Sequence, residues 1–92
     1  MNKIYIIVSQ ECIQREHAIE KIRECYPAAE QVIIDETYHP ATGWNEVTSG
    51  CNTLVDIPRF NQAGVTHVNL KVFDRDEVLL AQPDYPIAEL IA

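Results

Sequence analysis

Two long stretches of this chain, residues 24–58 and 76–92, contain no lysine or arginine. Together they hold ten of the fourteen acids, so the formal net charge of −7 is concentrated in them. The net negative charge argues against direct binding to nucleic acid or anionic lipid through a general basic patch. Long apolar runs are missing too. Ile4–Val8 is too short for a signal-peptide core or a bilayer span. Cysteine is sparse and odd in number, at Cys12, Cys25 and Cys51, which argues against a secreted disulfide scaffold and for a reducing compartment. Cytoplasmic residence is therefore expected, with no membrane association. Glycine is scarce and forms no phosphate loop, since Cys51-Asn52 follows Gly50 where lysine and Ser/Thr would be required. A dinucleotide site fails on similar grounds, because Ser9-Gln10-Glu11 has no glycine and puts an acid where a pyrophosphate would sit.

What is present reads as one globular domain over residues 1–92, with apolar residues at 47%. Lys3–Val8 is a β-branched run of a buried strand. Ser9 offers an N-cap to a helix over Gln10–Tyr26, ended by Pro27. Cys12, Ala18, Ile19, Ile22, Cys25 and Tyr26 share one face of it. Val32–Ile34 is a second buried strand bounded by Asp35-Glu36, and a right-handed crossover would make it parallel to the first. Tyr38 to Asn52 lacks periodicity and reads as a long loop. A short helix is expected from Asp56, with Pro58 in its first turn and Gly64 at its C-terminal cap. Val65–Phe73 alternates, with Val68, Leu70 and Val72 facing one way and His67, Asn69 and Lys71 the other. Asp74–Glu77 turns the chain, and Val78–Ala81 pairs back as a hairpin. Asp84, between Pro83 and Pro86, is expected to cap a last helix with Ile87, Leu90 and Ile91 inward.

The predicted fold class is thus α/β: a compact two- or three-layer domain with a four-stranded mixed sheet in the order β-α-β-α-β-β-α. That order of elements resembles thioredoxin-like domains, whose reactive cysteine stands where Cys12 stands, in the first turn of a helix after the first strand. The resemblance implies an alternative function, a thiol-dependent redox protein or a degenerate relative using Cys12. It covers element order only. Cys12-Ile13-Gln14-Arg15 lacks a second cysteine, and Thr66-His67 replaces the proline expected before the third strand.

No cofactor is implied. The scattered metal-ligand types, Cys12, Cys51, His39 and His67, have none of the spacings that metal sites use. The candidate partner-binding residues are Asp35, Glu36, Tyr38, His39, Trp44 and Glu46, where acids and aromatics fall in one base-free stretch. Aromatic rings are common anchors at protein interfaces, and one-sided charge selects the opposite sign. The favoured expectation is a small acidic, non-catalytic protein that binds a basic surface of a larger protein and inhibits or regulates it. A nucleic-acid-binding cleft is one form such a surface could take. Fourteen acids in 92 residues fall short of the charge density of duplex DNA, so full mimicry is not favoured. The acids are expected to gather at one rim of the sheet beside Trp44. The apolar Ile87–Ala92 also makes a homodimer a candidate.

Overall fold

A computed structural model describes residues 15–48 and 50–91. A helix, α1, covers residues 15–25 among them and stops before Pro27, as its ring requires. It is followed by strands β1 (Gln31–His39) and β2 (Gly43–Glu46). A 3₁₀ turn at Leu54–Asp56 leads into α2 (Ile57–Gln62). Strands β3 (His67–Phe73), β4 (Leu79–Ala81) and β5 (Asp84–Pro86) precede α3 (Ile87–Leu90). The predicted strand at Lys3–Val8, its cap Ser9 and Cys12 lie outside the described residues.

The described residues form a compact α/β unit with a five-stranded antiparallel sheet and three helices, in the order α-β-β-α-β-β-β-α. The predicted mixed, thioredoxin-like sheet of four strands is therefore incorrect: every strand pairing among the described residues is antiparallel. β1 lies between β2 and β3, and β3 carries β4 and β5 on its far side. Ala81 faces Val72 and Asp84 faces Asn69 in one continuous register, so β4 and β5 act as a single edge with an irregularity near Leu80. Asp84 sits in β5 and does not cap the last helix, which starts after Pro86.

The predicted loop after Tyr38 is in large part a hairpin. Pro40 occupies the second position of a tight turn in which the Thr42 N–H donates to His39 O (3.1 Å). Gly43 then takes φ +79°, the left-handed residue that a three-residue hairpin loop requires. The Asn45 amide ties the turn down by donating to Thr42 Oγ1 (2.8 Å) and Gly43 O (2.9 Å).

One irregularity orients the whole sheet. Ile34 lies opposite Leu70 and Glu36 opposite Asn69, which leaves Asp35 as an extra residue in β1. Side chains alternate between faces along a strand, so the extra residue reverses the parity of the remainder of β1. Val32, Ile34 and Thr37 point inward with Val72, Leu70 and Val68. Ile33, Glu36 and Tyr38 point outward with Lys71, Asn69 and His67. The inner face packs on Ala18 and Ile22 of α1, Ile57 of α2, and Ile87 and Leu90 of α3, all at most 1% exposed. Tyr85 of β5 joins this core at 8% exposure.

Helix α2 is fixed at both ends. The Thr53 N–H and hydroxyl both donate to Asp56 Oδ2 (3.1 and 3.2 Å), and Arg59 Nη2 lies 3.5 Å from Asp56 Oδ1. At the other end Gly64 has φ +89°, and a Cβ built there would stand 2.9 Å from His39 Nε2. Gly64→Ala is expected to lower the unfolding free energy by about 1–2 kcal/mol from backbone strain. Denaturant titration checks this. Adding His39→Ala should relieve only the steric part of the loss.

Candidate functional site

The outward face of the sheet carries two rows of side chains that cross the strands. The first is Trp44 on β2, Tyr38 on β1, His67 on β3 and Pro86 on β5, each opposite its neighbour in the ladder. Tyr38 is the centre of this row. Its ring meets Trp44 edge-on at 5.4 Å between centroids and His67 edge-on at 6.0 Å. Edge-to-face packing of this kind holds the rings in place, worth about 0.5–1.5 kcal/mol per aromatic pair. Trp44 nevertheless remains 42% exposed.

The second row is Glu46, Glu36, Asn69 and Asp84. Its β3–β5 end is tied by amides: Asn69 Nδ2 donates to Asp84 Oδ1 (2.8 Å), and Gln82 Nε2 to Asn69 Oδ1 (2.8 Å). Gln82 Nε2 also donates to Asp35 Oδ2 (3.0 Å), while Lys71 Nζ stands 3.3 Å from Asp35 Oδ1. Asp35 and Asp84 are thereby satisfied within the molecule. Glu36 and Glu46 are not. They are held directly opposite one another across the β1–β2 ladder. Among the described residues, no cation lies within ion-pair distance of either.

Like charges directly opposite on a sheet destabilise the pair by roughly 0.2–1 kcal/mol. Glu46→Lys would turn this repulsion into an attraction and is expected to raise the unfolding free energy by about 0.5–1 kcal/mol at low salt. The gain should shrink as salt is raised. Chemical denaturation at two salt concentrations reads both effects.

Five of the six candidate residues, Asp35, Glu36, Tyr38, Trp44 and Glu46, thus belong to one surface. They sit on the sheet face, not at the rim that the sequence led us to expect. His39 does not join them. It comes after Tyr38 on the opposite side of β1, where its ring lies against Gly64 and its Nδ1 accepts from the Ala41 N–H (3.0 Å). His67 and Asn69 belong to the surface and were missed as candidates. The polar phase of the β3 alternation carries the signal for both.

The chain matches no protein-family model, no curated protein and no solved structure. The site itself must therefore carry the functional reading.

No group of three His, Cys, Asp or Glu side chains among the described residues is arranged to hold a metal ion. No described helix is long and apolar enough to cross a membrane. Cys51 accepts from Arg59 Nη1 at 2.7 Å, and neither residue belongs to the two rows. A depression of about 380 Å³ lies on α1, between residues that include Arg15, Arg23 and Glu30. Arg23 is engaged there, with its Nη2 3.6 Å from Glu30 and its Nε donating to Ala29 O (2.9 Å). The depression therefore offers no convergent charge of one sign. The sheet face, by contrast, combines rigid rings with two uncompensated carboxylates.

Proposed function

We propose that this chain is a small acidic interaction protein with no catalytic role of its own. It binds a basic surface of a larger protein through the outward sheet face, and by covering that surface inhibits or regulates its partner. The observation that carries this reading is the facing pair Glu36 and Glu46 beside the Trp44–Tyr38–His67 row. A repulsive pair costs folding energy, and a pair of arginines or lysines from a partner would offset that cost on binding. Trp44 and Tyr38 supply the apolar contact, and their few rotatable bonds keep the ordering cost low. The row is too short for nucleic-acid mimicry, because among the described residues only Glu36 and Glu46 stand side by side without an ion-pair partner.

The test is quantitative retention of cellular proteins on the immobilised chain, compared with Trp44→Ala and with Glu36→Gln/Glu46→Gln. The expected result is a basic partner that both variants lose by about tenfold or more, the usual scale of one interface hot spot. Raising the salt should release it from the wild type. Partners kept equally by all three proteins, or indifferent to salt, would defeat the proposal.

A further inference from the structure

A second surface lies at the opposite edge of the sheet. Val78, Leu79 and Leu80 are 56%, 49% and 40% exposed, three consecutive large apolar side chains at the start of the β4–β5 edge. Among the described residues no strand pairs with the outer side of that edge. The Asp74 N–H donates to Val78 O (3.0 Å), so the next pair, Leu79 opposite Phe73, falls between hydrogen-bonded steps. In such a pair the backbone N–H and C=O point away from the partner strand. Leu79 therefore offers its backbone groups outward.

Exposed edges are ordinarily blunted by lysine, proline or a covering element. β5 is blunted in this way. Pro86, opposite His67, has no N–H to offer at a position where that group would point outward. Residues 78–82 have neither proline nor lysine. Charge identifies what fits. Asp76 and Glu77 stand at one end of the segment, where with Asp74 they outnumber the exposed Arg75, and Asp84 stands at the other; no base occurs from Asp76 onward. A second copy pairing antiparallel would bring the acidic ends together. A basic strand would neutralise both.

We infer that the β4 edge takes up an extended basic peptide segment of a partner protein as an added antiparallel strand. Its backbone completes the ladder at Leu79, and its apolar side chains pack beside Leu79 on the same face. Its basic side chains face Asp76, Glu77 and Asp84. This surface shares Asp84 with the end of the second row but includes neither Trp44 nor the Glu36–Glu46 pair, and the inference stands without the function proposed for that face.

Three synthetic peptides test it against the isotope-labelled full chain by NMR. The first alternates lysine and valine, the second has the same charge with a central proline, and the third alternates glutamate and valine. The expected result is that the first shifts the amides of residues 78–82 and slows hydrogen exchange at Leu79. The proline peptide should bind about tenfold more weakly because it cannot complete the ladder, and the glutamate peptide should not bind. Leu79→Lys/Leu80→Lys should weaken the first peptide about tenfold by charge, while Trp44→Ala leaves it unchanged. Equal binding of the first two peptides would reduce the effect to charge attraction and overturn the inference. Shifts confined to the Trp44 face, or no binding by any peptide, would overturn it as well. So would concentration-dependent self-association that protects the β4 amides without peptide, which would make a second copy the occupant.

Discussion

Replacing Leu70 by alanine is expected to remove about 2–5 kcal/mol of unfolding free energy, the range for truncating a large buried aliphatic side chain. Leu70 is 0% exposed, in the middle of β3 and opposite Ile34. β3 is paired on both edges, with β1 on one side and β4 and β5 on the other. Backbone pairing on both sides prevents β3 from moving inward to fill the space. The cavity should therefore persist, which places the loss in the upper part of the range. Domains of this size have about 5–15 kcal/mol of stability in total, so the variant should melt at a much lower denaturant concentration. Leu79→Ala is the control, since Leu79 is 49% exposed and its truncation should change stability by at most about 0.5 kcal/mol. Equal losses in the two variants would mean that the core is not where β3 places it.

The second large effect is a loss of stability in alkali that depends on one phenol. Burial pushes Tyr85 up from 10.0 to about 12, helped by its hydrogen bond with Cys25 and by negative charge at Cys25, Tyr26 and Glu89. Above pH 10 the unfolded chain releases this proton while the folded chain still holds it. The contribution to stability is therefore complete below pH 10 and is lost as the pH rises through 12. A shift of that size corresponds to about 2–3 kcal/mol. Tyr85→Phe keeps the ring and removes the titrating group, so it should flatten this part of the stability profile relative to wild type. The measurement is denaturant unfolding at a series of alkaline pH values. An identical profile for both proteins would show that Tyr85 ionises without resisting burial.

Much of the element content was legible along the chain. The strict alternation of His67–Phe73 marks β3 and sorts its inner from its outer side chains, because one face is buried and the other is not. Pro27, Pro58 and Gly64 marked helix boundaries for reasons of backbone geometry alone. The β2 hairpin was not legible as a strand. Gly43–Glu46 lies at the sheet edge, and with Trp44, Asn45 and Glu46 all exposed no apolar alternation is imposed on it. The available sign was turn chemistry, Pro40 followed three residues later by Gly43, flanked by Tyr38 and Trp44. The mixed sheet was inferred from element order. Local periodicity carries no information about which strand lies beside which or in what direction it runs.

The candidate site shows the same division. The absence of lysine and arginine from residues 24–58 is a property of the sequence, and it determined that the surfaces built from this stretch would be acidic. That Glu36 faces Glu46, that Tyr38 lies between Trp44 and His67, and that His39 is turned away all depend on the extra residue at Asp35 and on the β1–β2 register. A bulge shifts every later side chain to the other face, and it arises from the pairing of two strands more than thirty residues apart. The sequence alone settled the sign of the charge. Tertiary pairing decided which charges and rings share a surface, because side chains meet across a sheet only once the register is set.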